Sequence, residues 1–241
     1  MNDYPTQPKG PMTLKQALVG EFREYADQII SVAGKTLTTD QLIYASKEDL
    51  YSTCLFPLNL GKIPANSQQQ VHRVPFGQAG QGFTNALTFS ETNNPWGSRA
   101  QGNEAYIAFG VGFDFYATSG AGSFDPIPLQ DLNDLALAQD LDWGLQIGGG
   151  PFRVQGLLGR FPYGSGLYAA GIDAAGNAGP QNGGPNVPVR KQATPLVFSP
   201  NIDTLITIGV GGGALGTFVQ AGANAIAVRC YLTGFRITLP A

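Results

Sequence analysis

The stretch Glu104-Ala105-Tyr106-Ile107-Ala108-Phe109-Gly110-Val111-Gly112-Phe113-Asp114-Phe115-Tyr116 decides the reading of this chain. Ile107, Phe109, Val111, Phe113 and Phe115 fall on one parity, and Tyr106, Ala108, Gly110, Gly112, Asp114 and Tyr116 on the other. Period two held over this length predicts a half-buried β-strand. Burying the five odd side chains contributes roughly 7–15 kcal/mol gross, at ~1.5–3 kcal/mol each. Conformational entropy then offsets most of that gain. Such a strand is expected at the centre of a sheet, with all five residues in one inter-sheet core.

The C-terminal stretch carries a second strand and a register signal. In Ala225–Thr233 the even positions Ile226, Val228, Cys230 and Leu232 are apolar, while the odd ones include Arg229 and Thr233. After Gly234 the parity flips, and Phe235, Ile237 and Leu239 are apolar at odd positions. A one-residue slip turns every following side chain to the wrong face. A β-bulge beside Gly234 restores the register, so one long bent strand is predicted.

Working outward, Gln68–Phe76, Asn85–Phe89, Asp142–Ile147, Phe152–Leu158, Val189–Phe198 and Thr204–Val210 also read as strands, with a turn at Pro200 and Asn201. Asp125–Asp140 reads as a helical insertion and Gly164–Pro188 as a long loop rich in Gly, Pro and Asn. About eight strands with large loops between them predict a mainly β fold, a single jelly roll or β-sandwich. The Cys…Trp…Cys frame of an immunoglobulin-like sandwich is absent. No internal repeat suggests a propeller or solenoid.

The sandwich is expected over 55–241, preceded by an arm and a helical segment over 1–54. Residues 1–12 hold Pro5, Pro8 and Pro11 without an apolar period and read as a flexible arm. Thr13 and Gln16 have capping-box spacing. Leu14, Leu18, Phe22, Tyr25, Ile29 and Val32 then recur every three or four residues, the stripe of an amphipathic helix that Gly34 would end. Residues 39–53 read as one or two further helical turns. The stripe Leu14, Leu18, Phe22, Tyr25 and Ile29 is the candidate assembly helix, because an exposed apolar face of that size invites association.

Composition narrows the function. Charged residues make up 13% of the 241-residue chain, against ~25% in ordinary globular proteins. The 33 glycines and 17 prolines, about a fifth of the chain, exclude a long-helix protein. Fourteen basic and 17 acidic residues give a net charge of −3, so the phosphate neutralisation behind non-specific nucleic-acid binding is not on offer. So few charges do little to keep a small protein apart from its copies. Met1–Gln16 lacks the basic-then-apolar pattern of a secretory leader, no run approaches the ~18 apolar residues of a membrane-spanning helix, and synthesis in the cytoplasm is expected. Cys54 and Cys230 then read as two reduced, buried thiols.

No catalytic motif survives inspection. Gly211-Gly212-Gly213-Ala214-Leu215-Gly216 fits G-x-G-x-x-G, yet no acid follows Asp203 to hold a ribose, so a mobile hairpin loop is expected rather than a cofactor site. Gly34-Lys35-Thr36 resembles the end of a P-loop, but Ile29 stands where its first glycine belongs. His72 is the only histidine, so any Ser-His-Asp or Cys-His site must contain it. Its polar neighbours Gln68-Gln69-Gln70 and Arg73 predict a surface or interface position. A zinc site would need Cys54, Cys230, His72 and a carboxylate to converge. Asp131, Asp134, Asp140 and Asp142 lack the order of a calcium loop and read as solvating or capping residues. The aromatic residues sit in alternating runs and are expected in the core. No enzyme, cofactor or metal is therefore predicted.

Gly61-Lys62-Ile63-Pro64-Ala65-Asn66-Ser67 leading into Gln68–Phe76, Thr194–Asn201 leading into Leu205–Ile208, and Val228–Ile237 together resemble strands of the jelly-roll capsid proteins of bacteriophages, tailless icosahedral ones in particular. The resemblance implies a structural subunit of an icosahedral virion shell, self-assembling through jelly-roll edges and the N-terminal arm and made in the host cytoplasm. Copies of itself and other virion proteins would be its partners, without direct nucleic-acid binding, and the resemblance is neutral on a membrane beneath the shell. The family has no catalytic residues to carry over. The alternative from another class is a phage receptor-binding or lectin-like β-sandwich. A lectin should expose aromatics and carboxylates on loops, and the loop 164–188 offers only Tyr168 and Asp173.

Overall fold

The computed structural model describes residues 45–118, 124–126, 140–157, 167–172, 178–182, 190–200, 202–216 and 224–238. The arm, the Thr13–Val32 helix with its stripe, residues 39–44 and most of the 125–140 insertion lie outside them. The described elements are all strands: β1 (Ala45–Pro57), β2 (Gln68–Val71), β3 (Ala79–Gly80), β4 (Phe83–Ala86), β5 (Glu104–Thr118), β6 (Asp125–Pro126), β7 (Leu141–Ile147), β8 (Phe152–Leu157), β9 (Leu167–Ile172), β10 (Ala178–Asn182), β11 (Arg190–Phe198), β12 (Thr204–Val210) and β13 (Ala225–Thr238).

Eight of them form two sheets, in the orders β1-β13-β5-β11 and β2-β12-β7-β8. Taken in chain order these eight pair first with last, second with seventh, third with sixth and fourth with fifth, every pair antiparallel. This nested pairing is a long hairpin rolled over on itself, the jelly-roll form of a β-sandwich. The hairpins β3–β4 and β9–β10 are insertions in it, and β6 adds a short rung to β5.

Two expectations need correction at the N-terminal side and in the loops. Residues 45–53 are strand, not helical turns, and the boundary drawn between 54 and 55 falls inside β1. Leu50, Cys54 and Phe56 alternate into the core on one parity, and the ladder to β13 outweighs the helix preference of Lys47, Glu48 and Leu50. The segment 164–188, expected as a loop, contains the β9–β10 hairpin.

The core lies between the sheets. Ile226, Val228, Cys230 and Leu232 of β13 meet Trp143 and Leu145 of β7 and Ile206 and Ile208 of β12, with the Phe113 and Trp143 rings 5.6 Å apart. From β5 the core takes Val111 and Phe113, with Phe115 packed against it, but also Tyr106 and Ala108 of the opposite parity. The single-parity expectation is therefore wrong for Ile107 and Phe109. They are buried outside this inter-sheet cluster, where Phe109 meets Phe235 edge to face at 6.1 Å.

The cause is a bulge on β5. Gly110 pairs with Thr233 and Ala108 with Gly234, leaving Phe109 as the extra residue. β13 itself has no insertion, because its ladder to β1 runs unbroken from Ala225 to Ile237. The irregularity is thus opposite Gly234 and not within its strand, and Leu232 and Phe235 lie on opposite faces. Glycine is required there by close approach: a Cβ on Gly234 would stand 1.9 Å from the Ile107 carbonyl oxygen. Tyr106 fills the space beneath, its hydroxyl 2.6 Å from the Leu232 carbonyl and 2.8 Å from that of Glu48.

Candidate functional site

Each residue singled out for chemistry is placed by the fold. His72 follows β2 with a left-handed backbone (φ 59°) and is fully buried, not on the surface as expected. Its ring bridges the sandwich, Nε2 donating to the Cys230 carbonyl at 3.2 Å while buried Nδ1 has no partner. Desolvation, only partly offset by that bond, lowers its pKa to about 3. A neutral ring out of contact with water cannot serve as a general base for solvent-borne substrate.

Cys54 and Cys230 are buried free thiols on neighbouring strands, diagonal to each other because Ser52 faces Cys230 and Cys54 faces Val228. Burial pushes both thiols up. His72 and Cys230 do come together, yet among the described residues no three His, Cys, Asp or Glu side chains gather as a metal group. The glycine run 211–216 is tied down by backbone bonds from Gly211 to Asp140, Asn66 to Gly211, and both ways between Ile63 and Leu215. Asp142 is exposed on β7, whereas Asp131 and Asp134 lie outside the described residues.

The organised polar chemistry lies on the outward face of the β1-β13-β5-β11 sheet. Period two places Tyr51 and Thr53 of β1, Arg229 and Tyr231 of β13, and Asp114 and Tyr116 of β5 on that face. The Arg229 guanidinium carbon stands 5.2 Å from the Tyr51 ring centre, 5.1 Å from Tyr116, 5.2 Å from Phe124 and 5.9 Å from Tyr231. Cation–π attraction operates at these distances and strengthens with desolvation. Arg229 also donates to Thr53 Oγ1 at 3.0 Å, to the Tyr231 hydroxyl at 3.3 Å and to the Ser90 carbonyl. Burial opposes its charge, but Tyr231, Tyr116 and Asp114 raise its pKa on balance. Tyr116, bonded to Asp114, is pushed up by burial and by that carboxylate.

Arg229 thereby anchors a strap, residues 88–94, that lies along β1. Thr53 Oγ1 donates to the Glu91 carbonyl at 2.8 Å and the Tyr51 hydroxyl to that of Phe89 at 2.6 Å. Asn93 imitates a strand partner, its Oδ1 accepting from Tyr51 N at 2.7 Å and its Nδ2 donating to the Asp49 carbonyl at 2.7 Å. Leu55 N goes to the Gln81 carbonyl at 2.8 Å. Over residues 49–55 the outer edge of β1 is thus covered, one of the ways a sheet edge is protected from pairing with another chain.

A buried Gln81, left-handed at φ 58° in the β3–β4 turn, ties the segment after β2 to β1. Its Oε1 accepts from Arg73 N and Val74 N, and its Nε2 donates to Ser52 Oγ and the Thr53 carbonyl. Asn94 does the same further along, donating to the His72 and Gly97 carbonyls.

The strap ends in an exposed aromatic pair. Phe76 and Phe89, 44% and 66% exposed, stack with ring centres 4.1 Å apart and planes inclined by 17°. Their loops are rigidly bonded, Phe76 N to the Asn94 carbonyl and Gly77 N to that of Leu87, both at 2.9 Å. The alternating apolar runs around them predict these aromatics in the core instead. No local signal separated Phe76 and Phe89 from buried phenylalanines, whereas the odd parity of Arg229 did mark it as outward-facing. The assembly stripe Leu14, Leu18, Phe22, Tyr25 and Ile29 lies outside the described residues.

No protein-family model, curated protein or solved structure matches this chain.

Proposed function

We propose that this chain is a structural subunit of an icosahedral virion shell. The observation that carries the reading is the nested pairing of eight strands in two sheets, an architecture used by viral capsid domains as well as by lectins and cupins. Since a fold alone does not imply a function, two features of the chain add to it. Forty-four residues precede the first described strand, their sequence carrying proline spacing and an apolar stripe, and the 13% charge content leaves much of the surface suited to contact with copies. Because the β1 edge is covered by the strap, subunits would meet through faces, loops and the N-terminal segment and not through strand addition at β1.

A lectin-like or receptor-binding module is the second reading, and the exposed Phe76–Phe89 pair favours it, since planar aromatics can stack on sugars. Sedimentation and electron microscopy of the full chain, and of the chain lacking residues 1–33, separate the two. Closed particles from the full chain, and folded but unassembled truncated protein, are expected. A full-length protein that stays monomeric at high concentration, with no particle formed, sinks the shell reading.

A further inference from the structure

We propose that the stacked Phe76–Phe89 pair is the seat for the Pro5–Pro11 segment of a neighbouring copy of this chain. The inference rests on the shell reading and names the contact through which the arm would act. Two large aromatic side chains left 44% and 66% exposed on loops fixed by backbone bonds form a preorganised apolar platform. Ordering such a platform adds little to the entropy lost on binding.

The occupant is identified by its spacing. Pro5, Pro8 and Pro11 recur every third residue, and a polyproline II helix has three residues per turn. In that conformation the three rings would project from one edge, about 9 Å apart. Proline-rich segments of this kind dock on exposed aromatic surfaces, exploiting a conformation with little entropy left to lose. The segment also suits an apolar seat, since residues 1–12 carry only Asp3 and Lys9 as charged side chains.

Reach is sufficient. If Thr13–Val32 forms the helix that its apolar stripe predicts, that helix alone spans roughly 30 Å at ~1.5 Å per residue. Tyr51, whose hydroxyl holds the Phe89 carbonyl, is about 20 Å along β1 from Ala45 at ~3.3 Å per residue. A tether of that length can cross to a subunit packed alongside. Under the shell reading such a subunit is always present, at high effective concentration.

The test places 4-benzoylphenylalanine at position 89 of the full chain and assembles an equal mixture of unlabelled and nitrogen-15-labelled copies. After irradiation, mass spectrometry is expected to find position 89 joined to a peptide within Met1–Lys15, in mixed-isotope pairs. Replacing Pro5, Pro8 and Pro11 together with alanine should lower that yield at least tenfold without touching the sandwich. Same-isotope pairs alone, cross-links only to other segments, or a yield unchanged by the triple replacement would each overturn the inference. Particles that form without the arm cross-link sink the seat and leave the shell reading standing. The mixed cross-link in small oligomers, with no particle at any concentration, supports the seat and sinks the shell. A glycan that binds the full chain and is lost on Phe89→Ala overturns the seat in favour of the lectin-like reading.

Discussion

Acidification should loosen this sandwich through one side chain. His72 is held neutral by burial, its pKa lowered from 6.5 to about 3, so the unfolded chain binds a proton that the folded chain refuses. Stability is therefore fully present above the unfolded value of 6.5 and is lost as the pH falls towards the folded value near 3. Between pH 7 and pH 5 the linkage amounts to roughly 2 kcal/mol, at ~1.4 kcal/mol per pH unit once the unfolded imidazole is mostly charged. Geometry agrees, because Nε2 already donates to Cys230 and a proton on Nδ1 would have no acceptor. Urea titrations at pH 7, 6 and 5, followed by the fluorescence of buried Trp96 and Trp143, read the effect. The control is His72→Asn, since asparagine tolerates the left-handed backbone at this position and does not titrate. Carboxylates such as Glu48, raised by burial against the pull of Arg236, change both proteins alike. The stability difference between wild type and variant should shrink by roughly 2 kcal/mol from pH 7 to pH 5. A difference that stays constant over that range refutes the argument.

Gly234→Ala should destabilise the fold by about 3 kcal/mol or more, because the new methyl would meet the Ile107 carbonyl in the middle of the β5–β13 pair; an unchanged melting temperature would show that the bulge yields. Gln81→Asn keeps the backbone conformation but cannot span from Arg73 and Val74 to Ser52 and Thr53. A loss of about 2–3 kcal/mol and faster amide exchange at Arg73 and Val74 are expected, with unchanged exchange counting against the hub. Arg229→Lys retains the charge but loses the planar fork that reaches Thr53 and Ser90 together. It should lower stability by about 1–2 kcal/mol and speed proteolysis within residues 88–94, and a strap as resistant as in wild type would contradict its assigned role.

Much of the strand content is written locally. Alternation in 104–116, 204–210 and 225–237 reports strands because side chains on a pleated backbone must choose a face every second residue, whatever lies opposite. The place of the irregularity beside Gly234 was legible, although the apolar switch that pointed to it is a change of face along an unslipped β13 and not a register event in that strand. Which strand carries the extra residue was not legible, because a bulge belongs to a pair: Phe109 is surplus only relative to β13, and the need for glycine at 234 comes from a carbonyl of another strand. β1 escaped the sequence reading for a related reason. Ser46-Lys47-Glu48-Asp49 suits a helix until the last strand offers a ladder along all of Ala45–Pro57. His72 looked exposed among glutamines and an arginine, yet a left-handed turn at the end of β2 carries its ring between the sheets to Cys230, 158 residues away. The sequence by itself therefore determined the alternation, the β class and the outward parity of Arg229. Only the tertiary structure decided the strand partners, the buried imidazole, the strap over β1 and the exposed phenylalanine pair, because each depends on atoms brought together from distant parts of the chain.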